Sequence, residues 1–196
     1  MKHAADTTGS LPAWHESLLS SLKAHQEESG VFYVQLATME NNPSNRTVVC
    51  RGFFRNTSSL MIATDCRSNK VKELKAHPNG TLCWYFSKTR EQYRISGTVR
   101  IINASFRNRR DAEARSNLWA QLSEGIREQF HWPEPCSFSL ETMSTPPSLD
   151  NPPDSFCLLV LKPEHVDYLN LGFRPHHRII RKLQPDGSWF EREVNP

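Results

Sequence analysis

The chain has 196 residues, enough for about one domain of ordinary size and enough to fold without a disulfide or metal staple. Hydrophobic residues make up 37 % and charged residues 23 %, and a 10 % aromatic share argues against wholesale disorder. Twenty-four Lys and Arg against 21 Asp and Glu leave a formal charge of +3, too small a surplus to imply a nucleic-acid partner.

Five cysteines (Cys50, Cys66, Cys83, Cys136 and Cys157) are an odd number with no C-x-x-C pair. That pattern argues against a disulfide framework and a closed zinc site, so no metal is expected. No apolar run approaches the ~18 residues of a membrane span. Asp6-Thr7-Thr8-Gly9-Ser10 interrupts any apolar core of a secretory signal. The expectation is a soluble, cytoplasmic protein with reduced thiols and no membrane partner.

Trp14, Leu18, Leu19 and Leu22 recur at helical spacing, which predicts a helix from Trp14 to about Glu28, with Gly30 at its stop. The period then changes. Val31–Thr38, Thr47–Phe54 and Leu60–Thr64 read as strands, with turn chemistry at Asn41-Asn42-Pro43-Ser44-Asn45. Ser68–Ala76 reads as a short helix with Ser68 as N-cap. Strands are predicted at Thr81–Phe86 and Gln92–Ile102, the second bent or bulged at Gly97. One helix is predicted over Ala104 to about Phe130, with Leu118, Trp119, Leu122, Ile126 and Phe130 as its apolar stripe. Six of the 13 prolines fall between Pro133 and Pro153, which reads as a long surface loop. Phe156–Leu161, Val166–Leu171, Arg178–Leu183 and Trp189–Val194 read as closing strands. Many short strands, few helices and no β-α-β alternation predict an antiparallel barrel with peripheral helices. The whole chain reads as one such domain.

Three segments carry chemistry. On a strand Arg46 shares a face with Val48 and Cys50, while Thr47, Val49 and Arg51 take the other. An anion contact at each end is one reading of these arginines, and solvated strand ends are the plain one. In Thr64-Asp65-Cys66-Arg67-Ser68-Asn69-Lys70 a strand runs into a helix N-terminus, where free N–H groups, a hydroxyl and an ammonium make a phosphate seat. Ordinary capping with a surface lysine fits as well. In Phe173-Arg174-Pro175-His176-His177-Arg178 two arginines bracket adjacent histidines. Neighbouring side chains on a strand point apart, and no third ligand completes a metal tetrad. Anion binding or base chemistry is favoured there over a basic nucleic-acid stripe, which lacks interleaved aromatics.

The order of these segments resembles the pyridoxamine 5′-phosphate oxidase family of FMN-binding split barrels, most closely its plant and cyanobacterial branch. The resemblance runs from Trp14 to Pro196 and falters in the Pro-rich loop. Its pieces include Ser44-Asn45-Arg46-Thr47-Val48-Val49-Cys50-Arg51-Gly52-Phe53, Arg67-Ser68-Asn69-Lys70 and Cys83-Trp84-Tyr85-Phe86. Arg90-Glu91-Gln92-Tyr93-Arg94-Ile95-Ser96-Gly97, Phe130-His131-Trp132-Pro133 and Val166-Asp167-Tyr168-Leu169-Asn170-Leu171 follow in the same order.

The resemblance implies a mainly β, antiparallel split barrel with peripheral helices, and a homodimer holding FMN between its protomers. It implies that the strand Arg46-Thr47-Val48-Val49 lines the flavin, and that Arg46 and Lys70 hold its phosphate near Ser68 and Asn69. Thr64, Gln92, Ser123, Tyr168 and Arg178 are implied as further flavin contacts. Arg174 and His176 are implied to close over the substrate as the catalytic pair, with Arg51 and Arg110 as substrate-binding residues. The implied reaction oxidises pyridoxamine or pyridoxine 5′-phosphate to pyridoxal 5′-phosphate, with hydride passing from C4′ to flavin N5 and dioxygen yielding hydrogen peroxide. A flavoprotein of the same fold with another substrate, and a non-enzymatic module binding FMN or pyridoxal phosphate, are the alternatives.

The chain departs from the family pattern in three places. Asn69 stands where an arginine is usual, so that phosphate contact is lost or passes to Arg67. Phe106 and Ala114 replace a tyrosine and a serine of the substrate-phosphate cluster, leaving Arg110, with Arg115 or Arg109 as substitutes. Tyr168 or Leu169 takes the place of a tryptophan over the flavin.

Overall fold

In the computed structural model, which describes residues 11–106, 108–137 and 148–196, strands dominate from Tyr33 onward. They are β1 (Tyr33–Met39), β2 (Pro43–Phe53), β3 (Leu60–Asp65), β4 (Asn79–Phe86), β5 (Glu91–Ile102), β6 (Phe156–Asn170), β7 (His177–Leu183) and β8 (Trp189–Val194). Helices are α1 (Ala13–Ala24), α2 (Asn69–Ala76), α3 (Arg109–Gln121) and α4 (Glu124–Glu128), the last running into a 3₁₀ turn at Gln129–His131.

Every strand pairing is antiparallel, in the order β3-β2-β1-β4-β5-β6-β7-β8, and β3 also pairs with β6. That extra pairing closes six strands into a barrel. β7 and β8 extend the wall beyond it. The alternation of β1, β4 and β5 sends Val34, Leu36, Leu82, Trp84, Phe86, Tyr93 and Ile95 inward, where Trp14 and Leu18 of α1 and Val71 and Leu74 of α2 join them. A second cluster lies outside the barrel, where Leu118 and Trp119 of α3 cover Phe156, Leu158 and Val160. The first half of β6 is therefore buried on both faces, which is why Phe156–Leu161 is an unbroken apolar run.

The expected barrel with peripheral helices is the observed fold, with four local corrections. β2 starts at Pro43, because Pro43, Ser44 and Asn45 of the expected turn already pair with Met39, Thr38 and Ala37. Phe156–Leu161 and Val166–Leu171 are one strand, because Lys162-Pro163-Glu164 is absorbed as a bulge where the register shifts opposite Ser96 and Gly97. A Cβ on Gly97 would stand 1.9 Å from the Lys162 carbonyl oxygen, so only glycine permits the two strands to meet there. The long helix over 104–130 is broken. Asn108 caps α3 by accepting from the Arg110 and Asp111 amides at 3.0 and 3.4 Å, and Leu122 turns to extended backbone as its side chain enters the second core. Helix α1 ends at Ala24, four residues early. Of the Pro-rich stretch, Ser137 and Ser148 bound the described parts, which hold only turns and bends, and 138–147 lie outside the described residues.

Candidate active site

The strand β2 divides the candidate residues between two faces. Arg46, Val48 and Cys50 turn inward, while Thr47, Val49 and Arg51 stand on the outer face. Arg46 reaches the end of the barrel beside α2. Its Nη2 donates to Glu73 Oε2 at 2.8 Å and to Ser44 Oγ at 2.6 Å, and its Nη1 donates to Thr38 Oγ1 and, at 3.2 Å, to the Leu36 carbonyl. Burial alone would raise the Glu73 pKa, and the bonds from Thr38 and Arg46 outweigh it and hold the carboxyl below its ordinary value. Arg46 is thus a fixed charge more than a free fork.

Lys70, on the first turn of α2, is different. Its Nζ donates to Thr64 Oγ1 at 3.1 Å and has no other hydrogen-bond acceptor among the described residues. Burial, aided by the neighbouring Arg46 guanidinium, lowers its pKa. Ser68 occupies the N-cap position, yet its hydroxyl turns back to donate to the Asp65 carbonyl at 2.6 Å. Val71 and Lys72 amides reach the Ser68 carbonyl, so the Asn69 and Lys70 amides open the helix without a backbone acceptor among the described residues. Asn69 itself is exposed. Arg67 does not replace the missing arginine: it is bound to Asp65 through Nε at 3.0 Å and Nη2 at 2.6 Å, and Nη2 also donates to the Trp132 carbonyl at 3.0 Å.

Strand register gathers a second group on the outer face of the sheet. Gln92 pairs with Tyr85 on one side and Leu169 on the other, Leu169 with Arg178, and Arg178 with Val194. Directly opposed residues share a face, so Gln92, Leu169, Arg178 and Val194 form one row. The adjacent row runs Thr47, Gln35, Cys83, Arg94, Asp167, Ile180, Arg192. Tyr33 and Tyr85, 56 % and 52 % exposed, leave this face open. Asp167 is buried within it, accepting from Arg178 Nε at 3.1 Å, Arg178 Nη2 at 2.9 Å and Arg94 Nη2. Burial would raise the Asp167 pKa; the two guanidiniums prevail and depress it. Arg51, also on the outer face, keeps a buried Nε with no partner among the described residues.

Tyr168 is on the other side of β6 from this row. Its ring lies 4.8 Å from that of Tyr93, its hydroxyl donates to Glu91 at 2.7 Å, and burial pushes its pKa up to about 12. Of the two candidates for the missing tryptophan, Leu169 is the one on the face with Gln92 and Arg178. Sequence alone could not choose between neighbours whose faces depend on strand register.

Arg174 and His176 line a cleft of about 1080 Å³ with Arg90, Arg192 and Val194. The adjacent histidines diverge. His176 Nδ1 bonds the Phe173 carbonyl at 3.0 Å, and His177 Nε2 reaches Glu193 at 3.2 Å. Ser123 is exposed at the start of α4, and Arg110 lies on α3, where its carbonyl accepts from Arg55 at 2.5 Å. Neither helix supplies a residue to the α2 turn, the outer rows or this cleft as described. Arg115 is buried and donates to the carbonyls of Phe156 at 3.0 Å and Pro153 at 2.5 Å, and Arg109 is held by Glu113 at 2.9 Å. Glu73, Asp167, Arg90 and Arg192 were absent from the expected site. Each owes its place to register or helix docking, which no local pattern encodes.

The donors at the α2 turn suit an FMN phosphate. A half-buried ammonium with one neutral acceptor, an adjacent guanidinium and two open amides present donors and no free carboxylate.

Residues 11–103 match the family described as pyridoxamine 5′-phosphate oxidase, FMN-binding domain. Over 193 residues the chain is 39 % identical to pyridoxine/pyridoxamine 5′-phosphate oxidase 2 of Arabidopsis thaliana, covering 93 % of this chain and 96 % of that one. A Nostoc punctiforme FMN-binding protein related to pyridoxamine 5′-phosphate oxidase superposes with a TM-score of 0.91 at 34 % identity, covering 96 % of this chain and all (100 %) of the other. PhzG from Burkholderia lata, solved with tetrahydrophenazine-1-carboxylic acid, shares the fold at a TM-score of 0.71 and 16 % identity, covering 97 % of this chain and 95 % of its own.

Proposed function

Because the chain belongs to the pyridoxamine 5′-phosphate oxidase family and is an FMN-dependent oxidoreductase, we propose that it oxidises pyridoxamine or pyridoxine 5′-phosphate to pyridoxal 5′-phosphate. The observation that carries the reading is the division of labour within one chain. Lys70 and Arg46 at the barrel end would seat the phosphate, Gln92 and Arg178 on the open sheet face would meet the ring, and Arg174 and His176 line the cleft beside β8. An open face bearing exposed Tyr33 and Tyr85 suits a second copy of the chain, so the active form is a homodimer with FMN between protomers.

Bound FMN would supply the hydride acceptor and hand the electrons to dioxygen, giving hydrogen peroxide. The chain supplies position and charge. Since a carbonyl only accepts, the His176 Nδ1 bonded to Phe173 carries a proton, which in the neutral ring leaves Nε2 as the acceptor. It is suited to receive a proton or hydrogen bond from the substrate's amine or hydroxyl. Arg174 screens negative charge on the pyridine oxygen, and Arg51 contributes positive charge from the outer face of β2.

One observation favours a second reading, a flavoenzyme of this fold with another substrate. Arg115 is consumed by backbone carbonyls, so the α3 cluster lacks that substitute for a phosphate grip, and the Burkholderia lata protein that shares the fold was solved with a ligand of another class. The test is an absorption spectrum of the holoprotein before and after anaerobic addition of pyridoxamine 5′-phosphate and, separately, of pyridoxine 5′-phosphate. Bleaching, with peroxide on readmission of air, upholds the vitamer oxidase. A flavin that stays oxidised with both vitamers transfers the assignment to the second reading.

A further inference from the structure

Most arginines of the chain are spoken for. Arg46, Arg67, Arg94, Arg100, Arg109, Arg178 and Arg181 each pair with a carboxylate. Arg115 and Arg127 donate to carbonyls. Among the described residues, the guanidiniums of Arg51, Arg90, Arg174 and Arg192 have neither a hydrogen bond nor an ion pair, and the last three line the same cleft. The carboxylate side chain among its lining residues is Glu193, which is bonded to His177. The cleft holds more guanidinium than carboxylate, and that excess of like charge raises the energy of the folded chain unless an anion joins it.

The walls of this cleft are held firmly. Arg90 ends the β4–β5 turn in the left-handed region, at a φ of 56°, which non-glycine residues rarely occupy. Its carbonyl accepts the Leu171 amide at 3.0 Å, locking the turn onto the end of β6. Behind it a Cβ on Gly172 would come within 2.9 Å of the Thr89 carbonyl oxygen, so turn and strand end are in close contact. Arg192 projects from β8 on the same face as Ile180 and Asp167, one row from Arg178. The cleft therefore adjoins the face that carries Gln92 and Arg178.

We propose that Arg90 and Arg192 form the seat for the substrate's phosphate dianion, with Arg174 and His176 placed over the ring that the phosphate tethers. The inference rests on the oxidase reading for the identity of the rest of the ligand, and relocates the phosphate grip from α3 to the cleft. Guanidinium forks match phosphate oxygens in paired, charge-assisted bonds, and two of them accommodate one dianion.

The test is the double variant Arg90→Gln/Arg192→Gln, purified as holoprotein and assayed with pyridoxamine 5′-phosphate and with unphosphorylated pyridoxamine. Both residues are exposed and unpaired, so FMN content and melting temperature should match wild type. The expected result is a KM for pyridoxamine 5′-phosphate raised roughly 30- to 100-fold, with kcat within about twofold and the pyridoxamine KM unmoved. An unchanged KM for the phosphorylated vitamer overturns the cleft seat and leaves the oxidase reading standing, since wild type still turns over. If wild type oxidises neither vitamer, the oxidase reading falls, and the cleft is judged by calorimetric titration with inorganic phosphate. Binding by wild type that the double variant loses upholds the anion seat, and equal binding, or none, by the two proteins overturns it.

Discussion

The Lys70 ammonium donates to the Thr64 hydroxyl at 3.1 Å and, among the described residues, forms no ion pair of its own, while burial, and after it the nearby Arg46 guanidinium, lowers its pKa. Glu73 is engaged with Arg46 and Thr38. The pair Lys70–Arg46 is thus one negative charge short, which the phosphate of the proposed FMN site would supply. Lys70→Met should weaken FMN binding by roughly 10- to 100-fold, the loss of one charge-assisted contact of about 1.5–3 kcal/mol. The apoprotein should melt no lower, because a half-buried charge without a partner has been removed. Titrating apoprotein with FMN by flavin fluorescence, alongside apoprotein melting, separates the two effects.

Asp167 governs the charge balance of the outer sheet face, between Arg94 and Arg178. With its carboxylate gone, Arg94 and Arg178 would face each other as like charges, so Asp167→Asn should cost about 3 kcal/mol at neutral pH, a fall of roughly 6–12 °C in Tm. The direction with pH follows from the depressed pKa. Stability from this carboxylate is fully present above the unfolded value of about 4 and is lost as pH falls through the lower folded value. The gap in Tm between wild type and variant should therefore be widest above about pH 4 and shrink below it. A gap that held constant into acid would remove Asp167 from this role.

How legible the fold was depends on which interactions are local. Alternation within β1, β4 and β5 is a property of each strand alone, and the inward sets Val34/Leu36, Leu82/Trp84/Phe86 and Tyr93/Ile95 could be read directly. The continuity of β6 could not. Lys162-Pro163-Glu164 looks like a break until it is seen opposite Gly97, a residue 65 positions away whose missing side chain makes room for it. The same applies to the site. Lys70 and Ser68 announce a helix N-terminus, whereas Arg67 looked free because its two partners, Asp65 and the Trp132 carbonyl, became evident only after folding. Charged side chains in a sequence show their chemistry but not whether it has already been spent.

Gly97→Ala tests the β5–β6 bulge. The added methyl would overlap the Lys162 carbonyl at 1.9 Å, and backbone on both sides leaves no flexible atom to yield. A loss of about 3 kcal/mol or more is expected, again roughly 6–12 °C in Tm, with the remaining folded protein retaining its flavin spectrum. Gly125→Ala is the control, since nothing lies within 4 Å of the added carbon.

His176 should show itself in rate. Removing the imidazole leaves the Phe173 carbonyl exposed to water and removes the acceptor proposed for the substrate. His176→Ala should lower kcat/KM for pyridoxamine 5′-phosphate by about 10²-fold and leave FMN affinity unchanged. Unaltered kcat/KM would take His176 out of the reaction.

Arg115 separates a structural guanidinium from a substrate-binding one. It lies buried under α3, over the Phe156 ring at 5.4 Å, and donates to the carbonyls of Phe156 and Pro153 where the chain returns to β6. Burial lowers its pKa. Trp119 and Arg127 grip the same return through the Leu149 carbonyl at 2.9 and 3.1 Å. Arg115→Met should preserve the packing volume yet strand those acceptors, at a cost of about 2–3 kcal/mol. Limited proteolysis should then cut more readily around 148–155, while the KM for pyridoxamine 5′-phosphate stays at the wild-type value. A KM that rose with intact stability would restore Arg115 to the substrate and place the phosphate on α3 after all.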